Sequence, residues 1–267
     1  MTGAPFALYA IAHPAFAERY NYITRHIAQR SAQKPVILGV IGREVLLRDP
    51  EFPRNPAFSP GQLGCALSHV AAYRHMVENG VQQAIILEDD AALPEGFDDL
   101  ARAILGELRP GEVIVFHSPI MTRHEYSFYG SRRFGKSLLV TPFLPEATRT
   151  CLCYAIEIGA ARRLLTANGS PRWLADDFGA FYRNGLVNFL RILSPAAVDV
   201  AHFESVIGYH GEGSLMQRLA PILNRTPGVR QLLRLRRKFR RMKFDRNHEF
   251  RPEPSPLMQG NPNYADE

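Results

Sequence analysis

Apolar and polar positions along the first 170 residues alternate between two patterns. Residues 6–11, 36–40, 84–88, 113–117 and 151–156 are short, nearly uncharged apolar runs bounded by turn residues, which predicts buried strands. Between them the apolar positions recur near the helical period around 17–30, 62–79, 97–108 and 159–167. Strands and helices in such alternation predict an α/β fold: a central mixed, mostly parallel sheet flanked by helices. Neither Gly-x-Gly-x-x-Gly nor a Walker sequence occurs, so the phosphate-cradling loops of dinucleotide and P-loop folds are excluded.

One run stands apart. Ala84-Ile85-Ile86-Leu87 ends abruptly in Glu88-Asp89-Asp90, and open α/β sheets bind ligands beyond the carboxyl ends of their strands. Strand side chains alternate, so Glu88 and Asp90 are expected on one side and Asp89 on the other. Three adjacent carboxylates repel one another and persist when solvated, paired with bases or neutralised by a metal. Hard oxygen donors suit Mn²⁺ or Mg²⁺. The bland alternative is a solvated turn.

Ser59-Pro60-Gly61-Gln62 has the form of a capping box with Pro at the first helical position. The helix it opens carries Leu63, Leu67, Val70, Tyr73 and Val77 on its apolar positions and stops at Asn79-Gly80. His69 and His75 are six positions apart, about 240° around the axis at the usual 100° per residue, so they cannot share an ion. His75 is expected to be structural, whereas His69 lies near the strand and can reach a ligand.

Pro60-Gly61-Gln62-Leu63-Gly64-Cys65-Ala66-Leu67-Ser68-His69, a helix, then Ile85-Ile86-Leu87-Glu88-Asp89-Asp90 closely resembles the signature of glycosyltransferase family 25, the lipooligosaccharide-type and procollagen-type galactosyltransferases. The resemblance extends to Val40-Ile41-Gly42-Arg43-Glu44, to Leu8-Tyr9-Ala10-Ile11 with Arg19, to residues 154–164 and to Ala175-Asp176-Asp177-Phe178, covering about residues 6 to 210. Two positions depart from it: Ala12-His13 stands where the family has Asn-Leu, and Ile41 where it has Asp.

The resemblance implies a GT-A-like single-domain glycosyltransferase, residues 1–224. It implies inverting transfer of a hexose, galactose first, from a UDP-sugar to a saccharide or glycolipid acceptor in lipopolysaccharide, lipooligosaccharide or other surface-glycan synthesis. Asp90, with Glu88 or Asp89, is then expected to hold Mn²⁺ or Mg²⁺ against the donor diphosphate. Arg19 and Arg43 are candidate nucleotide-side cations, and His69, Glu88 and Asp89 candidate donor contacts. His202 and His210 are candidate late metal ligands of the kind some GT-A enzymes use. Inversion needs a base facing the acceptor hydroxyl; Asp177 is preferred over Asp176, although acids opening a helix also serve as caps.

Composition is that of a soluble globular enzyme. The three cysteines, Cys65, Cys151 and Cys153, form neither a disulfide framework nor a zinc pattern by their spacing, which suits a reducing compartment. The apolar N-terminus lacks a basic region, so no signal peptide is expected. The +6 formal charge concentrates in residues 225–246, where ten basic residues face the single acid Asp245. Apolar residues interleave with them, which predicts a basic amphipathic helix for an anionic membrane surface rather than nucleic acid. The chain is therefore expected in the cytoplasm, peripheral on the cytoplasmic face of the inner membrane. Residues 247–267 read as a disordered tail, and 118–149 as a long loop able to form an acceptor lip. Two other functions fit the same features: a metal-dependent sugar-nucleotide hydrolase or phosphotransferase, and a non-catalytic membrane or nucleic-acid binding protein.

Overall fold

The computed structural model describes residues 4–49, 52, 58–117, 126–142, 145, 148–201 and 203, together with Gly228, Gln231, Leu232, Leu235 and Phe239. The elements are β1 (Ala7–Ile11), α1 (Ala17–Arg30), β2 (Val36–Leu38), α2 (Gly42–Arg48), α3 (Pro60–Glu78), β3 (Gln83–Glu88), β4 (Ala91–Ala92) and α4 (Phe97–Leu105). There follow β5 (Glu112–Val115), β6 (Tyr126–Phe134), β7 (Ser137–Pro142), β8 (Cys153–Glu157), α5 (Ile158–Asn168), α6 (Phe178–Arg183), β9 (Phe189–Ser194) and β10 (Asp199–Val200).

Among the described residues, eight strands form one sheet in the order β2-β1-β3-β8-β5-β9-β7-β6, and β10 pairs with β4 in a small second sheet. β8 and β7 run against the other six strands, so the sheet is mixed with most strands pointing one way. The α/β architecture expected from the alternating patterns is the one observed.

Strand alternation splits the core into two layers. Tyr9, Ala84, Ile86, Val113, Tyr154 and Ile156 face one side, against Tyr73 and Met76 of α3 and Leu164 of α5. Leu8, Ala10, Ile85, Leu87, Ile114 and Ala155 face the other, against Ile23 and Ile27 of α1 and Phe97 and Ile104 of α4. Both faces being covered explains why the strands read as continuous apolar runs rather than alternating ones.

α3 begins as its sequence dictates. The Ser59 side chain accepts from Gln62 N, the Gln62 side chain accepts from Ser59 N, and Pro60 occupies the first turn. α2 packs on it backbone to backbone: a Cβ on Gly64 would lie 2.7 Å from Val40 O and 2.9 Å from Gly42 N, and one on Gly42 would overlap Pro60 O. Only glycines permit this approach, which brings the β2–α2 turn against the first turns of α3.

The reading of 118–149 as one long loop is corrected over 126–142. These residues are β6 and β7, an antiparallel hairpin turning at Gly135-Lys136 and pairing through β7 with β9. Gly135 has φ +56°, the left-handed conformation that a tight turn needs. Residues 118–125 lie outside the described residues, as do 247–267.

Candidate active site

The register sets the site. β2, β1 and β3 are parallel neighbours, with Ile11 level with both Leu38 and Glu88. Their carboxyl ends therefore open together, and a cavity of about 420 Å³ lies beyond them. Ile11-Ala12-His13, Gly39-Val40-Ile41 and Glu88-Asp89-Asp90 line it from the three strand ends, and Arg43 reaches it from α2. This is a volume for a sizeable small-molecule ligand. Ala12, His13 and Ile41 all belong to this lining, so the positions where the sequence departs from the family pattern face the cavity.

The three acids do not act as one group. β3 ends at Glu88 and Asp89-Asp90 form a turn, so the strand alternation expected to carry Asp90 stops one step early. Glu88 is in phase with Ala84 and Ile86 and emerges on the α3 side of the sheet. There its Oε1 lies 3.4 Å from Cys65 Sγ, 3.1 Å from Cys151 Sγ and 3.6 Å from His69 Nε2. Burial pushes the Glu88 carboxyl up, but His69 and the two thiols outweigh it and bring it below its ordinary value. For His69, burial lowers the imidazole and its neighbours Cys65 and Glu88 hold it up at about 9.

Asp89 and Asp90 instead meet Arg19 of α1. Arg19 Nη1 donates to Asp89 Oδ1 at 2.5 Å and Nη2 to Asp90 Oδ2 at 3.2 Å. The Phe203 ring covers the guanidinium, 5.4 Å from its centroid. Ala201 N donates to Asp90 O at 2.7 Å, tying the chain after β10 to the acidic turn. Even so, Asp90 Oδ1 is buried without a hydrogen-bond partner. Burial first, then the charge of Glu88, raise the Asp90 carboxyl to about 6 against the pull of Arg19. Asp89 is also raised, again chiefly by burial.

Half-buried carboxylates lining a ligand-sized cavity, one oxygen unsatisfied and the charge only part-neutralised, fit a dication. Asp90 and Asp89 are the residues that would hold Mn²⁺ or Mg²⁺. Glu88, expected to join Asp90, is turned to the helix side.

A second, smaller cavity of about 100 Å³ shares Cys65 and Glu88 with the first and is closed by Gln62, Arg149, Cys151 and Asp176. Asp176 is raised above its ordinary value by burial and then by Glu88. Its neighbour Asp177 is the N-cap of α6, accepting from Ala180 N at 3.0 Å. Of the two acids, Asp177, preferred from the sequence, caps α6, and Asp176 lines the cavity.

His75 bonds the Tyr9 hydroxyl at 3.0 Å, the structural role expected of it. His202 and His210 lie outside the described residues. The participation of Cys65 and Cys151 was not readable from spacing, because 86 positions separate two thiols that converge only once β3 and β8 pair. The available signal was Cys65-x-x-x-His69, an i, i+4 pair sharing one helix face.

Residues 51–178 match the model described as "Glycosyltransferase family 25 (LPS biosynthesis protein)", and that match identifies the chain as a glycosyltransferase. The matched span holds α3, the acidic end of β3, Cys151 and Asp176-Asp177. No curated protein matches the chain. Among solved structures, the mannose-1-phosphate geranyltransferase from Thermus thermophilus is 12% identical over 71% of this chain and 73% of its own, with a TM-score of 0.36.

Proposed function

We propose that this glycosyltransferase uses the larger cavity for a nucleotide-sugar donor and the smaller one for the acceptor hydroxyl. The observation that carries the reading is Asp90, a half-buried acid that lines a cavity large enough for a nucleotide and whose Oδ1 has no hydrogen-bond partner. A bound Mn²⁺ or Mg²⁺ would stabilise charge developing on a departing diphosphate as a Lewis acid. Arg19 and Arg43 supply cationic side chains on the same wall. Arg19 is positioned by Asp89, Asp90 and Phe203, and so meets an anionic donor without a large reorganisation.

UDP-galactose is the first donor to test, in a GT-A-like inverting reaction, and the acceptor is a saccharide or glycolipid of the lipopolysaccharide type. Ala12 and Ile41 stand where the family pattern has Asn and Asp, and His13 where it has Leu, so sugar or base selection is proposed to lie at those three cavity-lining positions. Asp176 is the proposed base: its raised proton affinity suits acceptance of the acceptor proton. In a transfer assay, Asp176→Asn is expected to lower kcat by 10²-fold or more, within the usual general-base range of roughly 10²–10⁴. Asp177→Asn, which keeps a capping oxygen, is expected to stay within severalfold of wild type. The reverse ranking would overturn the assignment. UDP release that does not need a saccharide would instead identify a hydrolase.

The catalytic domain is proposed to sit against an anionic membrane through the basic segment 225–246, on the cytoplasmic face. Its described apolar residues Leu232, Leu235 and Phe239 are helical and 68%, 52% and 67% exposed. Their i, i+3, i+7 spacing sets them on one helix face. No helix among the described residues is long and apolar enough to cross a membrane.

A further inference from the structure

We propose that Cys65, His69, Glu88 and Cys151 form a zinc site, distinct from the Asp89–Asp90 turn. The four side chains offer two thiolates, an imidazole and a carboxylate, and their ligand atoms all lie within 4.8 Å of one another. Glu88 Oε1 stands 3.1–3.6 Å from the two sulfurs and His69 Nε2. Tetrahedral zinc with bonds of about 2.0–2.3 Å separates its ligand atoms by roughly 3.3–3.8 Å. The three distances to Glu88 Oε1 match that separation to within about 0.2 Å, and the remaining pairs, within 4.8 Å, close to it by small side-chain movements.

His69 Nε2 gives an independent sign. It is buried, points into the cluster and has no hydrogen-bond partner. The other ring nitrogen, Nδ1, bonds the Tyr154 hydroxyl at 2.7 Å, and Tyr154 in turn meets the Tyr73 hydroxyl at 2.8 Å. Metal-bound histidines are oriented in this way, through a bond from the remote nitrogen to a second partner. Cys65 and His69 lie one helical turn apart on the α3 face that packs toward the sheet, Glu88 comes from the end of β3, and Cys151 from the approach to β8.

Softness separates the two metal positions. Thiolate and imidazole select zinc over Mn²⁺ and Mg²⁺, whereas the Asp89–Asp90 oxygens suit the harder ions. On zinc binding the cysteine protons and any imidazolium proton leave to solvent, so uptake releases protons and strengthens with pH. With all four positions filled by protein, the ion would clip α3, β3 and the lead into β8 together. It would thereby fix the wall that divides the two cavities.

The test is zinc content and Co²⁺ substitution in the full-length protein, purified under reducing conditions. The expected result is one tightly held Zn²⁺ per chain, replaced by Co²⁺ with thiolate-to-cobalt charge-transfer absorption and tetrahedral ligand-field bands. Cys151→Ser and Cys65→Ser should lose the charge-transfer intensity and weaken zinc retention at least 10-fold, while Asp90→Asn should keep both. If either serine variant fails to fold, the wild-type cobalt spectrum alone decides. Reduced wild type that takes up no zinc, or a cobalt complex without thiolate absorption, would overturn the site. Because the readout is metal content and spectrum, failure here leaves donor binding by the Asp89–Asp90 turn to be judged separately.

Discussion

At the scale of single residues, the acidic end of β3 divides its labour. All three line the larger cavity, but Glu88 meets Cys65, Cys151 and His69 there, while Asp89 and Asp90 pair with Arg19. Asp90 carries the energetic burden, being held at about 6 by burial and by Glu88. The folded form thus binds its proton more tightly than the unfolded chain does. Between pH 4 and 6 the folded state holds more protons, so stability falls as pH rises through that window. The raised Asp90 carboxyl costs the metal-free protein on the order of 3 kcal/mol at neutral pH. Asp90→Asn is accordingly expected to raise the melting temperature of metal-free protein at pH 7.5 and to flatten its decline above pH 4, as measured by calorimetry; an unchanged or lowered melting temperature at pH 7.5 would contradict it. The sequence shows that three acids end a buried strand. It does not show where the strand stops, and that single step sends Glu88 to Cys65 and His69 and leaves Asp90 with Arg19.

At the scale of elements, periodicity was readable wherever an element is both regular and flanked by breaks. The pattern near 17–30 is α1 at its observed bounds, and the capping box places the start of α3. β6 and β7 escaped because Gly135-Lys136 interrupts aromatic and basic sequence that reads as loop, although Leu138, Leu139 and Val140 are buried against the sheet. α2 escaped because it is only seven residues long and is placed by the Gly42–Gly64 approach, a tertiary constraint rather than a local preference. The basic segment is readable in composition, and its exposed Leu232, Leu235 and Phe239 give the membrane proposal an apolar face. Replacing these three with serine is expected to reduce co-sedimentation with anionic phosphatidylglycerol vesicles at least 10-fold, consistent with roughly 1.5–3 kcal/mol for burying each large apolar side chain. Transfer to a soluble acceptor should persist. Sedimentation equal to wild type would remove the membrane role.

At the scale of the whole molecule, one sheet edge organises the chemistry. Parallel β2, β1 and β3 deliver their ends to the larger cavity, and antiparallel β8 brings Cys151 beside Glu88, where the smaller cavity begins. Acids and a guanidinium face one space, a base candidate faces the other, and Glu88 with Cys65 forms the partition. The Asp89–Asp90 turn is proposed to hold a dication against a donor diphosphate. The most direct measurement is calorimetric binding of a UDP-sugar panel to full-length protein with and without Mn²⁺, comparing wild type with Asp90→Asn. The expected result is Mn²⁺-dependent binding of one UDP-hexose, weakened at least 10-fold by the substitution. Binding that is indifferent to both Mn²⁺ and Asp90, or no binding of any UDP-sugar by the folded protein, would contradict it.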